Sequence, residues 1–125
     1  MALIVDLAER MPGGYVITLH GRLDGTTYAD CEAKIAPLLN PGTSALMFNM
    51  TDLDYISSMG LRVIIKARKI IEGGGGTVNM INMQPQIKKV FEIAHMMHGM
   101  TLFASVEEAD RYFDAMQKKV RDGLE

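Results

Sequence analysis

Two adjacent hydroxyl side chains, Ser57 and Ser58, stand where a segment of helical spacing begins. A hydroxyl at a helix start can accept hydrogen bonds from free backbone N–H groups and so cap the helix. It can also carry a phosphate, because unpaired N–H donors and the positive end of the helix dipole favour an anion there. Ser58, at the expected start of the helix, is therefore a candidate both for the cap and for phosphorylation.

Gly60 lies in the expected first turn of the same helix. A residue without a side chain would let a partner's backbone or a phosphate approach closely, and it would equally allow tight packing of the helix on a strand. We expect Gly60 to allow the close approach of a partner or a phosphate. In that case Gly60→Ala weakens partner binding but leaves the protein at least as stable, because alanine has the higher helix propensity.

Other residues of chemical interest give weaker indications. Gly73 to Gly76 follow a helical segment and lack the lysine of a phosphate loop, so a helix stop and a turn are expected. His95 and His98 could share a helix face, but no cysteine or carboxylate stands at ligand spacing, and no metal site is predicted. Cys31 falls on an apolar stripe and is expected to be a small core residue. No cofactor is predicted.

Composition narrows the class of protein. The chain has 125 residues, of which 48% are hydrophobic and 22% charged, the balance of an ordinary globular domain. A formal net charge of −2 argues against direct nucleic-acid binding, which usually needs a basic stripe. The first residues lack the basic head and apolar run of a signal peptide, and no apolar run could span a bilayer. We therefore expect a cytoplasmic protein without membrane insertion.

The elements that must position the serines follow from apolar patterns, which predict strands alternating with helices. The predicted strands are 3–5, 15–19, 45–50, 77–81 and 101–103. The predicted helices begin after Gly25, at about Ser58, near Pro85, which precedes the third helix, and after Ser105 as the N-cap. Turn residues Met11 to Gly14 join the first two strands as a hairpin. The pattern predicts an α/β fold over a single domain, 1–125. It has a mixed, mainly parallel sheet of about five strands with four helices, and Ala45–Met50 lies at the centre.

Two segments resemble a known family. Asn49 to Arg62 is similar to the signature region of STAS domains, which include bacterial anti-sigma factor antagonists, and Gly21-Arg22-Leu23-Asp24 resembles the family's Gly-x-Leu/Ile-Asp element. The resemblance extends over nearly the whole chain and implies the STAS fold. In regulatory members the serine or threonine two residues before the glycine of the Gly-Leu pair is phosphorylated. That position is Ser58 here, with Ser57 as the alternative.

The resemblance implies a partner-switching function without enzyme activity. The unmodified protein would bind an anti-sigma factor that is also a serine kinase, phosphorylation would end the binding, and a serine phosphatase would reset it. Phosphorylation adds about −1.5 to −2 charges, which repel a complementary surface. The expected partner-binding residues are Asp24, Gly25, Ser57, Ser58, Met59, Gly60 and Arg62. Asp24 is also expected to be the N-cap of the first helix.

Two other functions stay open on the sequence. One is a STAS interaction module that is not phosphorylated and serves as a subunit of a transporter or scaffold complex. It is favoured by Ser57, since the family often has Asp immediately before the phosphorylated residue. The other is a nucleotide hydrolase, which is disfavoured because no paired catalytic groups and no phosphate loop are present.

Overall fold

Five strands and four α-helices form the described part of the protein. The computed structural model describes residues 3–97 and 99–121, without the side chains of Met116, Lys119, Val120 and Arg121. The strands are β1 (Ile4–Met11), β2 (Gly14–Leu23), β3 (Ala45–Ile56), β4 (Thr77–Ile81) and β5 (Leu102–Phe103). The helices are α1 (Tyr28–Ile35), α2 (Ser58–Gly73), α3 (Pro85–Ile93) and α4 (Val106–Arg121), and a short 3-10 helix (Ala36–Leu38) follows α1.

The strands form one sheet in the spatial order β1-β2-β3-β4-β5. β1 and β2 pair antiparallel as a hairpin, and each later neighbouring pair is parallel. In the central strand β3, Ala45–Met50 is buried apart from the half-buried Asn49. A strand covered on both faces needs apolar residues on both, which explains the nearly continuous apolar run. The predicted mixed α/β sheet with this run at its centre is confirmed.

Alternate residues of β3 belong to two separate cores, because successive side chains of a strand point to opposite faces. Leu46, Phe48 and Met50 lie in the larger core, together with buried residues of α1, α2 and α3. Ala45 and Met47 lie in the smaller core beneath α4. Helix α2, which begins at Ser58, is therefore anchored on the face of the larger core.

The strands β1, β2 and β3 are longer than the apolar patterns predict. β1 is an edge strand whose residues 6–10 are exposed, so it lacks the alternation that marks a half-buried strand. β3 continues beyond its apolar run to Ile56 and keeps pairing with β2. As a result, the first half of the segment that resembles the STAS signature lies in a strand rather than in a loop.

The glycine run after α2 forms the predicted helix stop and turn. α2 ends at Gly73, and Gly75 has a φ of +90°, in the left-handed region that favours glycine. Among the helices of the described ranges, none combines the length and the apolar character needed to cross a lipid bilayer.

The candidate ligand and nucleophile residues form no chemical centre. His95 lies beyond the end of α3, with a left-handed backbone, so it is not on a helix face, and His98 lies outside the described residues. Residues 3–97 and 99–121 contain no group of three or more side chains that could hold a metal ion. Cys31 is fully buried, as predicted, and burial raises the pKa of its thiol to about 12. Such a thiol is a core residue and not a nucleophile.

Candidate functional site

The parallel pairing of β2 with β3 brings the two family-like segments together. Leu23, the last residue of β2, lies opposite Ile56, the last residue of β3. One residue further on, the Ser57 N–H donates to the Leu23 carbonyl oxygen at 2.9 Å. The Asp24–Gly25 loop and the serine pair therefore meet at the carboxyl ends of parallel strands, where open α/β sheets usually bind their ligands.

The two serines have different environments. Ser57 is the N-cap of α2: its backbone is extended, and its Oγ accepts a hydrogen bond from the Gly60 N–H at 3.2 Å. Ser58 is already the first helical residue, and its side chain is exposed. Its hydroxyl has no hydrogen-bond partner within the part of the chain that the structure describes. The expectation that Ser58 caps the helix is wrong, because a cap needs the non-helical backbone that Ser57 has.

Gly60 is buried against the end of β2 and is not part of the exposed rim. A Cβ placed on Gly60 would lie 2.6 Å from the Leu23 carbonyl oxygen and 2.7 Å from Leu23 Cγ. The glycine therefore lets the first turn of α2 pack tightly on the strand that also holds Ser57. The expectation that Gly60→Ala leaves the protein at least as stable is wrong for this reason.

The Asp24–Gly25 loop is fixed by its own hydrogen bonds. Asp24 Oδ1 accepts from the Thr26 N–H at 2.9 Å and from the Thr26 hydroxyl at 2.8 Å. Thr27 Oγ1 accepts from the Asp24 N–H and donates to the Arg22 carbonyl oxygen. The hydrogen bonds from Thr26 hold the pKa of the Asp24 carboxyl below its usual value. The loop is therefore preorganised beside Ser57.

Asp24 does not cap α1, and that expectation is wrong. The N-cap position belongs to Thr27, which makes no side-chain cap hydrogen bond. The Asp24 side chain instead bonds two residues ahead, which closes a tight turn before the helix begins.

An aromatic contact beside this loop was not predicted from the sequence. The Arg22 guanidinium lies 4.2 Å from the centre of the Tyr55 ring, and Arg22 Nε lies 3.5 Å from Asp24 Oδ2. Tyr55 is 42% exposed, a large value for an aromatic side chain. The contact arises from the pairing register, in which Arg22 lies opposite Tyr55. It gives the end of the sheet an ordered aromatic and cationic surface.

His20 connects three strands on the same face of the sheet. Its Nε2 lies 3.3 Å from Asp6 Oδ2 on β1, and its Nδ1 lies 3.1 Å from Asp52 Oδ2 on β3. The two carboxylates approach opposite nitrogens of the ring, so no single metal ion could bind all three groups in this arrangement. The cluster is a chain of close polar contacts across the sheet.

The exposed rim of the site consists of few side chains. Gly25, Ser58 and Arg62 are exposed, whereas Asp24 and Met59 are half-buried. Arg62 lies four residues after Ser58, and residues at this spacing share a helix face. The Arg62 side chain makes no ion pair or hydrogen bond to the described residues. A hydroxyl and a guanidinium, both without a partner in the described ranges, therefore lie one turn apart on the exposed side of α2.

The site lacks the contacts of an activated nucleophile. Among residues 3–97 and 99–121, no histidine or carboxylate hydrogen-bonds to Ser58 Oγ. A serine nucleophile needs an adjacent general base of this kind. The geometry suits a hydroxyl that another protein contacts or modifies.

The family model of the STAS domain matches residues 7–109, which contain every residue of this site. The chain belongs to the STAS domain family. An anti-sigma F factor antagonist of Lysinibacillus sphaericus is 28% identical over 80 residues, which cover 63% of this chain and 68% of that protein.

Solved structures agree with this fold. The anti-sigma factor antagonist SpoIIAA in its unphosphorylated form gives a TM-score of 0.73 at 22% identity, over 91% of this chain and 98% of that chain. The Bacillus cell fate determinant SpoIIAA in its phosphorylated form gives a TM-score of 0.72 at 23% identity, over 87% of this chain and 99% of that chain. The protein is an anti-sigma factor antagonist-like STAS domain with the SpoIIAA fold, so the predicted family and fold are confirmed.

The packing of Gly60 predicts an effect on stability. Gly60→Ala forces a methyl group against the Leu23 backbone, and we expect the free energy of unfolding to fall by about 1–3 kcal/mol. Gly73→Ala in the same helix is the control, because a Cβ there meets nothing within 4 Å. It should be neutral or stabilising by up to about 1 kcal/mol. Urea denaturation measures both variants, and equal stabilities would contradict the tight contact at Leu23.

The capping geometry predicts that the two serines differ in their contribution to stability. Ser57→Ala removes the acceptor for the Gly60 N–H and should lower the free energy of unfolding by about 0.5–2 kcal/mol. Ser58→Ala removes an exposed hydroxyl and should change it by less than about 0.5 kcal/mol. Thermal and urea denaturation of the two variants test this order. A larger loss for Ser58→Ala would show that Ser58 is the cap.

Proposed function

We propose that the protein is an anti-sigma factor antagonist that works as a partner switch. Its surface around Ser58 binds an anti-sigma factor with serine kinase activity, and phosphorylation of Ser58 ends the binding. The observation that carries the proposal is the difference between the serines: the Ser57 hydroxyl is engaged as a cap, whereas the Ser58 hydroxyl is exposed and without a partner among the described residues.

A phosphate on Ser58 is compatible with the folded state. At the first helical position it faces the unpaired N–H groups and the positive end of the α2 dipole, which stabilise an anion. A phosphate on Ser57 would instead convert the half-buried Oγ that accepts from the Gly60 N–H into a bulkier ester oxygen within the cap. Modification of Ser58 therefore changes the surface and preserves the fold, as a reversible switch requires.

The surface that would sense the modification surrounds Ser58. We assign direct partner contacts to Asp24, Gly25, Met59 and Arg62, which lie on the rim, and a shaping role to the half-buried Ser57 and the buried Gly60. A phosphate adds about −1.5 to −2 charges, which disfavour a complementary interface through repulsion and the cost of desolvation. Binding to the anti-sigma factor is lost without any change in the backbone.

In this function the protein is a ligand and a substrate, and not an enzyme. Ser58 has no general base among the described residues, so the kinase partner must supply the base for phosphoryl transfer. A serine phosphatase completes the cycle by restoring the free hydroxyl. Neither step requires nucleic acid or a cofactor bound to this chain.

The serine that precedes Ser58 is compatible with phosphorylation of Ser58. Ser57 occupies the position where the family often has Asp, and this difference favoured a module that is not phosphorylated. Asp and Ser are comparable N-caps. Because Ser57 performs the capping role, Ser58 keeps its exposed position at the start of α2. The geometry therefore favours the phosphorylated switch over a constitutive subunit of a transporter or scaffold complex.

The proposal predicts opposite outcomes for two substitutions at one position. Ser58→Asp should lower the affinity for the anti-sigma factor kinase of the same genome by at least about tenfold, because it places a like charge or an unpaired charge in the interface. Ser58→Ala should bind like the wild type. Isothermal titration calorimetry gives both dissociation constants.

Two control variants show whether the change in affinity is specific to position 58. Gln117→Glu adds a negative charge to the exposed side of α4, away from the site, and should leave the affinity unchanged. Ser57→Ala tests the neighbouring hydroxyl and, once its lower stability is allowed for, should lower the affinity less than Ser58→Asp does. Wild-type affinity in both Ser58 variants would contradict the proposal.

A further inference from the structure

The segment of β3 that leads to the serines lacks a strand on one side. β4 pairs with β3 only over Ala45–Asn49, whereas β3 continues to Ile56. Beyond Asn49, β2 is its only strand partner among residues 3–97 and 99–121. Backbone carbonyl groups on the open side need other hydrogen-bond partners, from side chains or water.

Irregular pairing between β2 and β3 increases the need of this segment for hydrogen-bond partners outside the ladder. From Thr18 opposite Asn49 to His20 opposite Asp52, β2 advances two residues and β3 three. A second shift, from Gly21–Leu53 to Arg22–Tyr55, leaves Asp54 as an extra residue of β3. An extra residue in a bulge has no place in the ladder, and bulges of this kind often occur beside functional sites.

Two glutamines at the start of α3 supply the missing donors. Gln84 Nε2 donates to the Thr51 carbonyl oxygen at 2.9 Å, and Gln86 Nε2 donates to the Asp54 carbonyl oxygen at 3.1 Å. Gln86 Nε2 also donates to Gln84 Oε1 at 2.7 Å, which links the two carboxamides. Gln84 occupies the N-cap position of α3 but makes no side-chain cap bond, because its carboxamide reaches across to β3.

We propose that Gln84 and Gln86 are positioning residues for the serine pair. β2 holds one side of Thr51–Ile56, and the two carboxamides hold the other. Asp54, the bulged residue that Gln86 contacts, precedes Ser57 by three residues. Loss of the amide donors therefore loosens the strand that leads to the α2 cap, although neither glutamine needs to touch the partner.

Replacement by methionine tests this role without changing the charge. Gln→Met keeps a side chain of similar length and removes the N–H donors. The double variant Gln84→Met/Gln86→Met should therefore lose both bonds to β3. Gln117→Met is the matched control, because Gln117 is the remaining glutamine of the chain and is exposed on α4.

Hydrogen exchange measured by NMR reports the position of the serines directly. The Ser57 and Gly60 amides, which bond to Leu23 O and Ser57 Oγ, should exchange about tenfold faster in the double variant. The Phe48 amide, in the centre of the sheet, should not change, and Gln117→Met should match the wild type. Unchanged exchange at Ser57 and Gly60 would overturn the proposal. So would an equal rise at Phe48, which would mean a general loss of stability.

Partner binding tests the functional consequence, which rests on the function proposed above. The double variant should bind the anti-sigma factor kinase about tenfold more weakly, and Gln117→Met should bind as the wild type does. Faster exchange at Ser57 with unchanged affinity would overturn the positioning role. If the wild type itself does not bind the kinase, the proposed function fails, while the exchange data still decide whether the glutamines hold the serines.

Discussion

The contact between the Leu23 carbonyl group and the first turn of α2 is the constraint on which the rest of the site depends. The Leu23 oxygen accepts the Ser57 N–H, and the same oxygen leaves room only for a glycine at position 60. This contact fixes where the strand ends and the helix starts. It thereby places Ser57 in the cap, Ser58 on the surface and the Asp24–Gly25 loop beside both. A site built from backbone contacts of this kind can change its surface charge without rearranging.

The surroundings of this contact are rigid on several sides. The Asp24 loop is closed by hydrogen bonds from Thr26, and the Tyr55 ring is held beneath the Arg22 guanidinium. On the other side of β3, carboxamides from α3 take the place of a strand. Interactions with an ordered surface lose less conformational entropy on binding than interactions with a mobile one. The preorganised end of the sheet is therefore suited to the recognition of a protein partner.

The sequence predicts the elements whose burial imposes a pattern. Ala45–Met50 is recognisable because both faces of the central strand are covered, and residues 77–81 are predicted with their correct bounds. The exposed continuation of the edge strand β1, residues 6–10, escapes prediction because exposure places no demand on its side chains. Three features of the site could not be predicted for another reason: the capping serine, the close approach at Gly60 and the Arg22–Tyr55 contact. Each depends on backbone angles or on the register between strands, which no local pattern specifies.

The most direct test of the switch is to locate the phosphate. The wild-type protein, incubated with ATP and the anti-sigma factor kinase of its own genome, would be digested and sequenced by tandem mass spectrometry. We expect one phosphate, on Ser58, in a protein whose circular dichroism spectrum is unchanged and which no longer binds the kinase. A phosphate on Ser57, or no incorporation by a kinase that binds the protein, would contradict the assignment of Ser58 as the switch.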